Sequence, residues 1–351
     1  MNASLLLPRL LAVVGLLWIS NAANAALGRT EGTWSVTDNG AATYTIPIFT
    51  PGGTARLTPS LAFTYSSNNG NGSLGVGWGI SGLPRIERCP SIVASNGSTR
   101  DVRGDALDRF CLDGNQLKYF AGAAYGQAGS EYRGEVDDFS RIKAFGSAGT
   151  GPAYFIVEQK NGLIYEYGNS GDSRIEWLGS SSARAWAVNK IRDRSGNTIL
   201  FNYTEDSVNG SYRISSIQYT GNPDQGIAPV YQVSFVYEPL PAGEMDSTFL
   251  GNGLIKRTTR LDRVDVTHNS SLIRRYELTF EPTLSSTSRS RLQSIQECAG
   301  SMLDCVPATT FNYTNGTNAA TSQLSSISSF GFKLPLDLNG DGRTDLVFFG
   351  L

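Results

Sequence analysis

The chain has 351 residues, of which only 17% are charged, with 39 glycines, 15 tyrosines and a formal net charge of -2. With a pI near 5.6 and no basic block, neither nucleic acid nor an anionic membrane is supported as a partner. His268 is the single histidine, which argues against Ser-His-Asp or Cys-His catalysis and multi-histidine zinc sites but leaves carboxylate chemistry open.

The first 25 residues predict a secretory leader. Arg9 supplies the positive end, Leu10 to Ile19 an apolar run, and Ala23-Asn24-Ala25 a small-x-small cleavage site. A helical run of that length spans only about 15 Å, half of a bilayer core. No other stretch is long and apolar enough for a stable membrane span, so the expected destination is secreted or extracellular, with periplasm or cell surface also open. Export to an oxidising compartment accounts for Cys89, Cys111, Cys298 and Cys305 as disulfide candidates. Four cysteines allow three connectivities, and proximity favours the sequential one. A four-thiolate zinc site is the competing reading, and the spacing lacks zinc-knuckle form.

From Gly32 onward the chain alternates short apolar-polar runs with turns, and no long helical period interrupts them. Tyr44 to Ile48 and Leu57 to Tyr65 read as strands around a Pro51-Gly52-Gly53 turn, with Pro47 and Pro59 marking edges or strand starts. Gly75, Gly77 and Gly79 predict a bulge or a close backbone approach, not a phosphate loop, because no helix follows. Further strands are expected at Phe155–Val157, Leu163–Tyr167, Arg184–Val188, Thr198–Tyr203, Tyr212–Tyr219, Tyr231–Tyr237, Leu261–His268, Ile273–Phe280 and Arg291–Gln296. This cadence predicts an all-β fold built as an extended antiparallel sheet, barrel or sandwich.

Three carboxylate sets would suit a hydrolase: Asp137-Asp138, Glu166 with Glu176, and Asp262 with Asp265. At such spacings they read better as solvated strand faces or turn caps, so no catalytic residue is assigned. Trp78 and Trp186 read as core aromatics, and His268 as an exposed or satisfied strand residue.

The chain closes on Asp337-Leu-Asn339-Gly-Asp341-Gly-Arg343-Thr-Asp345 and an apolar run. Side-chain oxygens of Asp337, Asn339, Asp341 and Asp345 with the Arg343 carbonyl suit a structural calcium ion (Ca2+). An EF-hand would need a glutamate at position 12, where Phe348 stands, and a helix rather than Leu346 to Phe349. A calcium loop within a β-hairpin is expected.

Several longer strings carry a family resemblance. They are YTIPI with PGG, LTPSLAFTYSS, GNGSLGVGWGISGL, IERCP, DRFCLDG, FSRIKAFG, NGLIYEYG and RAWAVNKIRDRSGN, in that order. Over roughly residues 30 to 315 the chain resembles the N-terminal region of SpvB and of the B components of insecticidal Tc toxin complexes. Asp193 to Tyr219 is similar to one tyrosine-aspartate repeat of the related Rhs shell proteins. The end resembles the first FG-GAP-type repeat of a β-propeller. The residue pattern sets a signal peptide at 1–25, which with the cysteine pairs departs from the family, and a Ser/Asn/Thr-rich linker at 316–329; the resemblance implies an SpvB-like β-rich domain at 26–315 and a partial FG-GAP repeat at 330–351. It implies a non-enzymatic segment of an extended β-shell that encloses or delivers a C-terminal toxin, with the remainder of a larger toxin or Rhs polypeptide as partner. The ADP-ribosyltransferase domain of SpvB lies in a distal region that matches nothing here. The alternatives are a secreted glycan-acting hydrolase and a calcium-dependent adhesion or carbohydrate-binding module.

Overall fold

The computed structural model describes residues 28–244, 246–251, 253–300, 304–314, 331–336 and 345–350, the last two segments as backbone. The predicted leader and linker, and the calcium ligands Asp337, Asn339, Asp341 and Arg343, lie outside the described residues. The chain divides into two units, Met1–Tyr313 and Thr314–Leu351.

In the first unit nearly every regular element is an antiparallel strand. The exceptions are short: Thr54–Arg56 and Pro223–Gln225 form 3-10 turns and Val93–Asn96 a single α-turn. A four-stranded N-terminal sheet runs Thr33–Val36, Ala42–Ile48, Leu61–Ser66, Trp78–Ser81 in spatial order. The predicted strand at Leu57 begins only at Leu61: the 3-10 turn ends at Arg56, and Pro59, with no N–H to give a ladder, lies in the stretch that follows it. Pro47 sits in an internal strand, not an edge. Its neighbour Thr33–Val36 pairs only with Ala42 to Thr45, so the missing N–H of Pro47 faces no partner there.

The second sheet branches. Strands Arg85–Cys89, Arg109–Leu112, Asn115–Gly122, Ser130–Gly134, Arg141–Phe145, Tyr154–Glu158 and Ile164–Tyr167 pair in sequence. They close into an eight-stranded barrel through Ala183–Arg192. Residues Ala185 to Ala187 of that strand pair with Arg85 to Glu87, and Val188 to Arg192 pair with Ile164 to Tyr167. The opposite edges of the same two halves pair with Arg174–Glu176 and Thr198–Asp206, so Ala185, Trp186 and Lys190 to Arg192 have strand partners on both sides. From Thr198–Asp206 the sheet continues, open, through Ser211–Gly221, Tyr231–Pro239, Thr259–His268, Ser271–Phe280, Leu292–Ala299 and Thr309–Thr310.

Turn chemistry fixes these registers. Asp113-Gly114 links Leu112 to Asn115 with φ of 47° and 84°, both left-handed as a two-residue hairpin requires. In the open sheet the period of two is read across strands as well as along them. Phe201, Ile217, Val233 and Val266 stand in register as one buried row, and Asn202, Ser216, Ser234, Asp265 and Arg275 as the adjacent polar row. The N-terminal sheet covers the apolar face: Phe63 meets Tyr276 edge-on at 5.7 Å, Phe49 N–H donates to the Tyr276 hydroxyl at 2.8 Å, and Tyr219 donates to the Pro51 carbonyl at 3.0 Å.

The barrel is filled rather than hollow. Trp186 is fully buried, edge-on to Phe110 at 5.3 Å and Phe155 at 5.0 Å, and its Nε1–H donates to the Pro152 carbonyl at 3.1 Å. Beside it lies a buried ion pair. Arg88 is 3% exposed and Asp108 3%, with Nη1 and Oδ2 at 3.1 Å. Arg88 also donates to the carbonyls of Ala183 (2.7 Å) and Asp105 (2.6 Å) and to Thr150 Oγ1 (3.0 Å). Asp108 accepts from the N–H groups of Arg103 and Gly104 and from Arg100. Both charges are saturated with hydrogen bonds, the condition under which such a pair is tolerated in a core.

In the second unit Gly331–Leu336 and Asp345–Gly350 pair antiparallel, with Leu336 opposite Asp345 and Gly331 opposite Gly350. Residues 337–344 connect them, so the segment predicted to bind calcium joins the two strands of a hairpin.

Removing one partner of the buried pair strands the other. Asp108→Asn is expected to lower unfolding free energy by about 3–5 kcal/mol at pH 7. Urea denaturation followed by tryptophan fluorescence measures it, and a loss below 1 kcal/mol would show that the pair is not buried and mutually dependent as described here.

Candidate functional site

The carboxylates that sequence singled out fall at separate places, each already occupied. Asp137 and Asp138 cap turns, accepting from Phe139 N–H at 2.8 Å and Ser140 N–H at 2.9 Å. Glu166 is paired with Lys190 at 2.7 Å and Glu176 with Arg174 at 2.9 Å. Their register partners on the shared strand are Lys190 and Ala183, so they stand about 23 Å apart along it. That is far beyond the reach of one glycosidic bond. Asp262 and Asp265 are bridged by Arg263, and Asp265 also takes a two-pronged contact from Arg275 at 2.6 and 3.0 Å.

Other residues flagged from sequence are structural in placement. His268 is exposed at a strand end, its ring 4.9 Å from that of Tyr231. Trp78 is buried, packs 4.6 Å from Phe311 and donates to the Tyr313 hydroxyl at 2.9 Å. Gly75, at φ 86°, runs against the Ser290 backbone, which accepts from Val76 N–H at 3.0 Å; a Cβ there would lie 2.6 Å from the Ser290 carbonyl oxygen. The cysteines pair sequentially. Cys89–Cys111 joins the first two barrel strands with Cα atoms 5.8 Å apart, and Cys298–Cys305 ties the last described loop to Leu292–Ala299. Among the described residues no group of acidic, histidine or cysteine side chains is arranged to hold a metal. Asp345 opens a strand of the second unit.

A group of charged residues that sequence reasoning did not find lies where barrel and open sheet meet. A cavity of about 360 Å³ there is walled by Arg85, Arg184, Arg213, Arg257, Glu87 and Tyr212 among others. A second, of about 180 Å³, adjoins it and shares Arg184, Tyr212 and Arg257. Arg184 comes from the shared strand and is 7% exposed. Its Nη2 donates to the Gly210 carbonyl at 2.7 Å and its guanidinium lies over Tyr212 at 5.6 Å. Burial pulls its pKa down. Close by, burial and the carboxylates of Glu176 and Asp172 push Glu205 up to about 6, against the opposing pull of Arg184 and Arg174. The available signal was Arg184 itself, an arginine inside the apolar run Ala183 to Val188. Among the described residues no helix is long and apolar enough to cross a membrane.

Comparison with known proteins places this architecture. The family described as Salmonella virulence plasmid 65kDa B protein, SpvB, matches residues 36–95. A search of curated proteins returned no match. Among solved structures, the N-terminal domain of effector protein SpvB from Salmonella typhimurium strain LT2 is similar at TM-score 0.57 and 18% identity, covering 72% of this chain and 98% of that one. The crystal structure of TcdB2-TccC3 is similar at TM-score 0.70 and 16% identity over 92% of this chain. The Photorhabdus luminescens Tc holotoxin pore is similar at 0.67 and 16% over 92%. The chain spans 19% of the length of the TcdB2-TccC3 chain and 18% of the holotoxin chain that it matches. At these identities the likeness is one of fold. The chain therefore resembles, in fold, the N-terminal domain of SpvB and part of the Tc toxin components.

Proposed function

We propose that the chain is a secreted, non-enzymatic scaffold segment of an SpvB/Tc/Rhs-like polypeptide, forming one wall of a β-shell that encloses or delivers a C-terminal toxin. The observation that carries this reading is the branched sheet. A closed, side-chain-filled barrel anchors a wide open sheet, whose likeness to a TcdB2-TccC3 component extends over 92% of the chain. An open sheet with one face buried and a long polar row on the other is suited to forming a wall. The two disulfides support export, since such bridges persist in oxidising compartments. The polar row of Asn202, Ser216, Ser234, Asp265 and Arg275 would face the enclosed space or the next segment.

Cross-linking in the source culture tests the reading. A carboxyl-to-amine reagent is expected to join this segment to a larger polypeptide, through residues of the open sheet, in material recovered from outside the cytoplasm. Recovery as a free monomer that turns over a glycan panel would contradict it.

The closing loop belongs to the same reading. Its donor set is four side-chain oxygens, from Asp337, Asn339, Asp341 and Asp345, and the Arg343 carbonyl; oxygen-only donors fit a hard cation. Calcium there would relieve the repulsion among crowded carboxylates and hold the hairpin strands together. Calcium is expected to bind the full chain in a calorimetric titration with one site, and Asp341→Ala to abolish that heat. Equal heats in the two proteins would remove the site.

A further inference from the structure

The arginine-lined cavity at the junction is over-supplied with positive charge. Four guanidiniums, those of Arg85, Arg184, Arg213 and Arg257, line it. Glu87 pairs with Arg85 at 2.7 Å and Asp246 with Arg257 at 2.9 Å. Four arginines less these two carboxylates leave Arg184 and Arg213, for which no carboxylate lies within 4.0 Å among the described residues.

Arg213 is half-buried over the Tyr237 ring at 5.3 Å. Arg184 is the decisive one. It is more than nine-tenths buried, it borders both cavities, and one of its five N–H donors is used on the Gly210 carbonyl. A buried guanidinium whose nearest carboxylates, such as Glu87 and Glu205, act on it only from beyond ion-pair distance is costly in a static core. It is economical where an anion arrives to meet it, and the planar fork of arginine matches carboxylate and phosphate oxygens two at a time.

We propose that this junction cavity is a binding site for a small oxyanion, a phosphate or carboxylate group, held by Arg184 at its base and Arg213 at its wall. Tyr212, stacked against Arg184 and lining both cavities, adds a phenol to the rim. The site lies on the strand shared by barrel and sheet and on the hairpin Thr198–Asp206/Ser211–Gly221, so an occupant ties the two together.

Thermal melting of the full chain at pH 7 and fixed ionic strength tests this, with sodium phosphate or sodium acetate replacing sodium chloride. Melting temperature is expected to rise and saturate with phosphate, acetate or both, and the anion that acts identifies the group recognised. Arg213→Gln should weaken the response about tenfold, the worth of one charge-assisted hydrogen-bonded contact. Arg184→Met should abolish it. Arg192→Gln, an exposed arginine outside the cavity lining, should leave it unchanged. Arg213→Gln decides the matter even where Arg184→Met does not fold. A response to neither anion beyond that to chloride overturns the proposal, as does a wild-type response in Arg213→Gln.

Discussion

One strand, Ala183–Arg192, carries a constraint on which the first unit depends. It must satisfy two architectures at once, closing a barrel with Arg85–Cys89 and Ile164–Tyr167 while starting an open sheet at Thr198–Asp206. Backbone N–H and C=O groups buried without partners are too costly to leave at such a branch. Arg174–Glu176 meets part of that demand by covering the edge of the first half that Ile164–Tyr167 does not reach. The side chains follow from this pairing. Residues between Ala183 and Val188 are covered on both faces, which is why the run tolerates alanines and places its one large ring, Trp186, in the barrel interior.

Charge is disposed around the same branch in three ways. Within the barrel, Arg88 and Asp108 are buried and mutually satisfied. On the polar face of the open sheet, Asp265, Arg263 and Arg275 neutralise one another at partial exposure, where such pairs contribute little to stability and mainly fix register. At the junction buried positive charge exceeds its carboxylate partners. A scaffold reading accounts for the first two arrangements, and an anion at the junction accounts for the third.

The open sheet was largely legible in the sequence, because its strands bury one face and alternate cleanly, as Thr198 to Phe280 does. The barrel was legible only in part: the strands at Phe155–Val157, Leu163–Tyr167 and Arg184–Val188 were read, but between Arg85 and Phe145 none was read from alternation. Arg88 and Ser130 are buried polar residues on the core-facing side, and Gln116 is buried on the opposite face beside Pro90 and Asn96, so burial and polarity do not alternate together there. Several of those strands are also only four or five residues long, too short to establish a period. The sequential disulfides followed from proximity in the chain. Arg184 stayed hidden because an arginine in a strand is read as pointing to solvent, and no local pattern reveals that both faces of that strand are covered.

Residue-resolved amide hydrogen exchange measures the branch most directly. If Ala183–Arg192 couples barrel and sheet, its amides and those of Arg85–Cys89, Ile164–Tyr167 and Thr198–Asp206 should open with one common free energy, equal to that of global unfolding. Two distinct opening energies, one for the barrel strands and another for the open sheet, would contradict the account.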